Sequence, residues 1–332
     1  MNVEDLGEFG LIERLQSMID ARQGTINGLL LGIGDDAAAW KTVTGTEVAS
    51  TDTMVAGVHF LPDKMPWDAI GWKAIASNLS DIAAMGCEPR FALVTLGLPP
   101  ETPVAWLDAL YEGMLDCTEA HGGTIVGGDI VASPVFFVTV SLTGFTTGLV
   151  MTRASAKAGD RIAVTGALGG SAGGLQLLLE KTSGDEPVTT SLLEAHFRPV
   201  PQVAAGLALV RAGITTAIDL SDGLVGDLER LCRASGVAAR IEADAVPLHP
   251  ALAKVFPNDS IQLALTGGED YQLLFTAEEA LLDKVRKVLP DPPVVIGTVV
   301  EGEPGQVDVL DEQGNIMVLP LTGWDHLRKS PA

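Results

Sequence analysis

The sequence predicts an α/β protein built from two domains. Its 332 residues exceed the usual span of one hydrophobic core. Segments with helical spacing of apolar residues alternate with short apolar runs in both halves, and this alternation is typical of mixed α/β layers. Hydrophobic residues make up 47% and charged residues 19% of the chain, which favours compact globular structure over disorder.

The first half contains a helical pattern between Leu11 and Ile19 and ends in a polar segment, residues 148–160. A fresh apolar strand follows that segment directly, so we predict a domain boundary there, with domains at residues 1–148 and 149–332. Between the first helix and the boundary we predict strands at Glu47 to Thr51, Phe91 to Leu98, Thr124 to Val126 and Val135 to Phe145, and helices at Trp67 to Met85 and Pro103 to Ala120.

The second half repeats the mixture of helices and strands. Its Gly-rich run from Gly166 to Gly174 lacks the Gly-Lys-Ser/Thr ending of a Walker A motif, so we predict a turn for close helix packing. The predicted strands are Arg161 to Thr165, Thr216 to Leu220, Gln262 to Leu265 and Gln272 to Thr276, and the helices are Gly174 to Lys181, Pro201 to Ala212, Leu224 to Ala234 and Glu278 to Leu289.

The charge balance restricts the partners of the chain. The formal net charge is −22, with 43 acidic and 21 basic residues, so nucleic acid and anionic membrane surfaces are repelled on average. The acidic start of the sequence does not resemble an export signal. The sequence contains no uninterrupted run of about twenty apolar residues, so no membrane span is predicted. Three widely spaced cysteines give no disulfide framework and favour a reducing cytoplasm.

Six aspartates in short segments that contain Gly, Ser or Thr carry the main chemical signal: Asp36, Asp52, Asp81, Asp129, Asp219 and Asp222. Any one of them alone could be a helix cap or an Asx turn. Asp81 differs, because it follows Asn78 by three positions inside a predicted helix, on a face that is otherwise apolar. Carboxylates gathered in segments nearly free of Lys and Arg need a hard cation to remain ionised together, and Mg2+ is the natural candidate.

Phosphate groups also need hydrogen-bond donors. Arg153 lies at the predicted boundary and could reach a polyphosphate, although a solvated linker arginine is an equal alternative. Ser221 and the backbone at Gly223 precede a predicted helix, whose N-terminus favours anions. No Ser/His/Asp or Cys/His spacing favours nucleophilic hydrolysis.

The motifs taken in order resemble the thiamine-monophosphate kinase family, which belongs to the aminoimidazole ribonucleotide synthetase-like superfamily. Single motifs recur across that superfamily, but the full order is specific and covers nearly the whole chain. The motifs are Gly7 to Phe9, Gly32 to Asp36, Ser50 to Thr53, Asn78 to Gly86, Gly127 to Asp129, Ile218 to Leu224, Gly267 to Tyr271 and Gly323 to His326.

The resemblance implies an N-terminal α/β domain that forms a homodimer, a C-terminal α/β domain, and an ATP site between them. It implies several Mg2+ ions at Asp36, Ser50, Thr51, Asp52, Asp81, Asp129, Asp219 and Asp222, although the adjacent Asp35 leaves the ligand in the first motif open. Nucleotide positions are Gly128, Asp129, Arg153 and Ser221, with Tyr111 as a further contact, and substrate positions are His59, Glu269 and Trp324.

The implied reaction is phosphorylation of thiamine monophosphate by ATP, the last step of thiamine diphosphate biosynthesis. An ionised phosphate oxygen of the acceptor attacks the γ-phosphorus in line, so no general base is required. Rival superfamily activities are selenophosphate synthesis, which requires an N-terminal reactive Cys that this sequence lacks, and carbamoyl handling in hydrogenase maturation. A non-catalytic protein that binds metal or nucleotide for regulation is a second rival.

Overall fold

The computed structural model describes residues 1–24, 26–33, 37–42, 44–180, 186–289 and 291–319. The chain divides into two compact units. The N-terminal unit comprises residues 1–82 and 87–148, and the C-terminal unit comprises residues 83–86 and 149–332.

The N-terminal unit is built around a four-stranded sheet with the strand order β3-β6-β4-β5. Strand β6 is antiparallel to both β3 and β4, whereas β4 and β5 are parallel. The strands of this unit are β1 (Leu29–Leu31), β2 (Ala39–Trp40), β3 (Thr46–Val55), β4 (Glu88–Leu98), β5 (Thr124–Ala132) and β6 (Phe137–Thr146), and its helices are α1 (Val3–Gln23), α2 (Trp67–Ala84) and α3 (Val104–His121).

One face of this sheet is apolar because alternate residues of β6, Val138, Val140 and Leu142, are buried. Helix α2 packs on this face, where a Cβ on Gly144 would lie 2.6 Å from the side chain of Ile82. Helices α2 and α3 pack closely against each other because glycines lie at their contact.

The opposite face is partly covered by α1 and the β1-β2 pair. The ring of Trp40 packs on that of Phe91 at 4.9 Å between centroids. Helix α1 is also tied to α3 by ion pairs, including Arg14 with Asp108 at 2.6 Å. Over β3 and β6 the outer face carries Thr and Ser residues that are exposed or half-buried.

The C-terminal unit contains a six-stranded sheet with the order β12-β9-β11-β7-β10-β8. Among the strand pairs that the structure describes in this sheet, β12-β9 is parallel and the others are antiparallel. The strands are β7 (Arg161–Val164), β8 (Thr216–Asp219), β9 (Ala238–Glu242), β10 (Leu273–Ala277), β11 (Val294–Val300) and β12 (Val307–Leu310). The helices are α4 (Gly170–Glu180), α5 (Glu186–Phe197), α6 (Val203–Ala212), α7 (Leu224–Ser235), α8 (Leu252–Val255), α9 (Ser260–Thr266) and α10 (Glu279–Val288).

The mixed α/β class is confirmed, and most predicted elements lie within a few residues of the observed ones. One prediction was wrong: residues 262–265 form part of α9 and not a strand. A four-residue apolar run does not distinguish a strand from one helical turn. The Gly-rich run begins α4 at Gly170, and a Cβ on Gly174 would lie 2.2 Å from the carbonyl oxygen of Leu192 in α5. This position therefore permits the close helix packing expected of it.

Several elements were not predicted: β1, β2, α5, α8, β9, β11 and β12. Of the helices in the described part of the chain, none combines the length and apolar character needed to cross a membrane.

Candidate functional site

Ser50 and Asp52 lie two residues apart on β3 and face the side of the sheet that α2 covers. The hydroxyl of Ser50 donates a hydrogen bond to Oδ2 of Asp81, which lies in α2. A hydroxyl and carboxylates from two separate elements therefore share one side of the N-terminal sheet. Oxygen donors of this kind suit a hard cation.

Thr51 faces the other side of the sheet. Its hydroxyl lies 2.9 Å from Oγ of Ser141 and donates to the carbonyl oxygen of Val140 at 3.1 Å. The structure thus separates the Thr51 side chain from the Ser50–Asp81 contact, because neighbouring residues of a strand point to opposite faces.

Asp129 lies on the same side of the sheet as Thr51. It pairs in register with Thr95 of β4, which pairs with Thr139 of β6, so the three residues form a row across the strands. Asp129 is exposed, and its Oδ1 accepts the backbone N–H of Ile130 at 2.9 Å. The predicted acidic residues of the N-terminal unit therefore occupy both faces of one sheet.

A cavity of about 780 Å3 lies in the N-terminal unit, above the β4-β5 half of the outer sheet face. This volume is in the usual range for small-molecule sites. A Cβ on Gly128 would lie 1.8 Å from the carbonyl oxygen of Val94, so β5 can approach β4 only with glycine at that position. The lining includes Ile12, Leu15 and Ile19 of α1, Trp40 of β2, Tyr111 of α3 and Gly127, Gly128 and Asp129 of β5.

Tyr111 is a buried member of this lining, with 5% of its surface exposed. Burial raises the pKa of its hydroxyl above the ordinary value of 10.0, so the group remains protonated near neutral pH. Three of the five predicted nucleotide contacts, Tyr111, Gly128 and Asp129, thus border one cavity.

In the C-terminal unit two loops are joined by backbone hydrogen bonds. The first, Asp219 to Gly223, connects β8 to α7, and the second, Gly267 to Tyr271, connects α9 to β10. Glu269 N–H donates to the carbonyl of Ser221 at 2.8 Å, and Tyr271 N–H donates to that of Leu220 at 2.9 Å. These bonds bring the predicted positions Asp219, Ser221, Asp222 and Glu269 together.

The second loop has an unusual backbone. Glu269 and Tyr271 have φ values of 64° and 49°, a region that non-glycine residues seldom adopt. Gly268 packs so closely that a Cβ there would lie 2.4 Å from the carbonyl oxygen of Ser221. Strain held in place by neighbouring hydrogen bonds is typical of a functional loop.

Asp227, which the sequence analysis missed, fixes the shape of the β8–α7 loop. Its Oδ2 accepts the backbone N–H groups of Ser221, Asp222 and Gly223 at 3.1, 3.0 and 3.2 Å. The expectation that this helix N-terminus offers backbone donors to an external anion is therefore corrected, because an internal carboxylate already accepts them. Burial, followed by repulsion from Asp222, raises the pKa of Asp227 to about 6.

Arg230 corrects a second expectation. Its Nη1 lies 2.6 Å from Oδ2 of Asp222 and 2.5 Å from Oδ1 of Asp227. The segment from Asp219 to Gly223 contains no basic residue, yet the guanidinium of Arg230, which lies further along the chain in α7, pairs with Asp222. The aspartates do not all lack basic partners.

A second buried network surrounds Glu269. Its Oε2 lies 3.5 Å from Nδ1 of His196, and the same nitrogen lies 2.9 Å from Oγ of Ser171. Asp270 accepts the N–H groups of Gly169 and Ser171 at 2.7 and 3.1 Å. The network thus ties the Glu269 loop to the first turn of α4.

Asp227, Arg230 and His196 gave no clear signal in the sequence, and Asp270 lay in a recognised motif without an assigned role. One available clue was Gly223, which serves as the N-cap of α7 without a side chain to cap it. A helix with such an N-cap needs another acceptor for its first N–H groups, and Asp227 in its first turn provides it.

Two further predicted residues, His59 and Arg153, lie in different units of the chain. Nδ1 of His59 accepts the N–H of Val55 at 3.0 Å in the turn after β3. Arg153 is exposed next to β8, where Thr152 forms a bridge with Thr216. Asp36 and Trp324 lie outside the described residues.

The described part of the chain contains no group of three or more His, Cys, Asp or Glu side chains placed to hold a metal ion. Magnesium usually binds one or two carboxylates and completes its shell with water and substrate phosphates. Two sets of oxygen ligands fit that mode of binding. One consists of Ser50, Asp52 and Asp81, and the other of Asp219 and Asp222. They do not fit an all-protein metal cage.

The sequence matches the AIR synthase related protein family, with its N-terminal domain over residues 34–150 and its C-terminal domain over residues 157–309. It is 38% identical over 327 residues to the thiamine-monophosphate kinase of Escherichia coli, covering 96% of this chain and 98% of the relative. It is 36% identical over 306 residues to that of Bacillus subtilis, covering 90% and 94%.

Solved structures are similar over the same length. The crystal structure of thiamine-monophosphate kinase from Stenotrophomonas maltophilia gives a TM-score of 0.81 at 36% identity, covering 92% of this chain and 96% of that one. The structure described as AaThiL complexed with AMPPCP and TMP gives 0.77 at 33% identity, covering 98% and 99%. The hydrogenase maturation protein HypE of E. coli, at 20% identity and a TM-score of 0.76, shares the fold.

Proposed function

The chain belongs to the thiamine-monophosphate kinase family of AIR synthase related proteins, and from this premise we propose how its residues act. The enzyme phosphorylates thiamine monophosphate with ATP and forms thiamine diphosphate and ADP. The family relative that was solved with AMPPCP and TMP supports the same pair of reactants here.

The nucleotide binds in the cavity bordered by Tyr111, Gly128 and Asp129, and this cavity is the single observation that carries the placement. Ile12, Leu15 and Ile19 give it an apolar side suited to a purine ring. Arg153 provides a guanidinium for the phosphates. Ser221 contributes its hydroxyl, because its N–H is bonded to Asp227.

Magnesium ions fit the oxygen sets around Asp81 and around Asp219 and Asp222, with Ser50 and Asp52 in the first set and Asp129 beside the cavity. Asp36 and Thr51 are assigned by family resemblance. Bound magnesium supplies neutralisation of phosphate charge and alignment of two anionic reactants. The chain itself supplies ionised carboxylates at fixed positions. Several magnesium ions bind to them.

Glu269, His59 and Trp324 contact thiamine monophosphate. The Glu269 carboxylate is oriented by its loop backbone and by His196, and an indole is suited to packing against the thiamine rings. No side chain acts as a general base, because the attacking phosphate oxygen is already ionised near neutral pH. Transfer then proceeds in line to the acceptor.

The working assembly is a homodimer formed by the N-terminal unit. Strand β3 is ten residues long and, within the described residues, pairs with β6 on one side only. A long edge strand of this kind is usually protected by a partner. The cysteines Cys87, Cys117 and Cys232 are buried and form no disulfide, which favours a cytoplasmic location.

The direct test is incubation of the protein with ATP, Mg2+ and thiamine monophosphate, followed by chromatography of the products. We expect equal amounts of ADP and thiamine diphosphate, and no turnover after chelation of the metal. ADP formed without thiamine diphosphate would support a different superfamily activity. Nucleotide binding without any product would support the regulatory alternative.

A further inference from the structure

Arg230 lies between two carboxylates that differ in their surroundings. The Asp227 side chain is 2% exposed, whereas those of Asp222 and Arg230 are 27% and 39% exposed. The three backbone N–H groups that bond to Asp227 hold it in the loop. The guanidinium is therefore anchored on the Asp227 side, while its contact with Asp222 is accessible to solutes.

The Asp222–Arg230 contact is the weaker of the two. Ion pairs open to solvent contribute up to about 1 kcal/mol, so a divalent ion that brings additional ligands can replace one. A guanidinium and a divalent cation on the same carboxylate also repel each other. Phosphate oxygens that arrive with the ion offset this repulsion, whereas water ligands do not.

We propose that Arg230 is a resident cation that occupies Asp222 until a divalent ion arrives together with nucleotide phosphates. Before nucleotide binds, its guanidinium bridges Asp222 and Asp227 and offsets the repulsion between them, and it thereby weakens the binding of free divalent ions. Arg230 thereby determines the order of binding, since the metal at Asp222 enters as its nucleotide complex. The inference rests on the proposed role of Asp222 as a metal ligand.

Titration with Mn2+ as a spectroscopic substitute for Mg2+ tests this role without any turnover. The paramagnetic resonance signal of free Mn2+ is measured in the absence of nucleotide for the wild-type enzyme and for Arg230→Gln. We expect Arg230→Gln to bind Mn2+ at least about fivefold more tightly, equivalent to about 1 kcal/mol. Binding equal to the wild type, or weaker, would overturn the proposal.

Matched variants locate the effect. Arg230→Lys keeps the positive charge and should bind Mn2+ like the wild type. Arg233→Gln removes a positive charge from another position of the same helix, and it should also bind Mn2+ like the wild type. Adding Asp222→Asn to Arg230→Gln should abolish the gain. A gain that persists without the Asp222 carboxylate, or that Arg233→Gln reproduces, would refute specific competition at Asp222.

A measurement on the wild-type enzyme covers the case in which Arg230→Gln does not fold. In a crystal structure with Mn2+ and a non-hydrolysable ATP analogue, we expect Nη1 of Arg230 to lie beyond about 4 Å from Asp222, outside ion-pair range. A separation that remains at the present 2.6 Å, or a metal absent from Asp222, would overturn the proposal. Formation of thiamine diphosphate by the same preparation tests the proposed function separately.

Discussion

The aspartates of the candidate site occupy different environments. Asp219 is buried, with 3% of its surface exposed, Asp52 is half-buried and Asp129 is exposed. Asp219 is paired in register with Leu273 of the neighbouring strand. Burial of a carboxylate is costly unless it is hydrogen-bonded or paired with a cation.

Asp52→Asn and Asp219→Asn should each lower kcat/KM by about 100-fold or more, since loss of a metal ligand removes several kcal/mol of charge stabilisation. The change removes charge and leaves side-chain volume almost unchanged, so the melting temperature should change little. Activity assays and thermal unfolding check both statements. Asp283→Asn, an exposed site on α10, is the matched control. Near-normal turnover in both site variants would contradict the metal assignment.

Asp270 should make stability depend on pH. Burial raises its pKa to about 7 from an ordinary value of 3.8, against the opposing effect of backbone N–H groups. The folded chain therefore favours the protonated form, and the stability that Asp270 contributes is lost as pH rises from about 4 towards 7.

Asn at position 270 cannot titrate, so the difference in melting temperature between the wild type and Asp270→Asn should narrow as pH rises from about 5 to about 8. Asp311→Asn is the control. Hydrogen bonds from Asn315 lower the pKa of Asp311, so its contribution is lost only at pH below 3.8 and should stay constant over the tested range. A difference for Asp270→Asn that stayed constant between about pH 5 and about pH 8 would show that the carboxylate is ionised throughout that range and would contradict the prediction.

At the scale of elements, glycines determine how closely α2 and α3 cross. A Cβ on Gly71 would lie 1.8 Å from the carbonyl oxygen of Leu110, and one on Gly113 would lie 1.7 Å from that of Asp68. Each helix thus packs directly on the backbone of the other. Because α2 also carries Asp81, this crossing positions a site residue.

Gly71→Ala and Gly113→Ala should each destabilise the protein by about 2–3 kcal/mol, since the helices must separate to admit a methyl group. Urea unfolding measures the loss. Gly10→Ala is the control, because a Cβ there meets only Leu6 of the same helix at 3.6 Å, and should stabilise α1 by about 0.5–1 kcal/mol. Equal effects at all three positions would mean that helix propensity, and not packing, explains the glycines.

At the scale of the whole molecule, the exposed β3-β6 half of the outer sheet face is the surface on which we expect a second copy of the chain to pack. Thr53 and Thr139 are joined by a hydroxyl contact of 2.8 Å across β3 and β6, on the half of the outer sheet face that α1 does not cover. Thr53 is exposed. A second copy of the chain would bury this face and protect the β3 edge.

Thr53→Arg should therefore shift the enzyme from dimer to monomer in sedimentation experiments, because a guanidinium would be buried without a partner at the interface. Thr190→Arg, at an exposed position of α5, should leave the sedimentation coefficient unchanged. A wild-type enzyme that sediments as a monomer would contradict the proposed dimer. A dimer unaffected by Thr53→Arg would place the interface elsewhere.

The sequence predicted the α/β class and the bounds of most long elements, since strong periodicity and glycine or proline stops mark them. It failed at short elements such as α9 and β12, where a few apolar residues fit either period. It identified the motifs that contain Asp219, Ser221, Asp222 and Glu269, and the structure brings these together through loop hydrogen bonds.

By itself the sequence determined the family and the order of its acidic motifs, because both are properties of which residues follow one another. Only the tertiary structure decided that Arg230 pairs with Asp222, that Thr51 turns away from Asp81, and that His196 reaches Glu269. Those outcomes depend on strand pleat, loop path and packing between distant segments. Side-chain direction is fixed by these contacts, which a linear pattern of residue types does not contain.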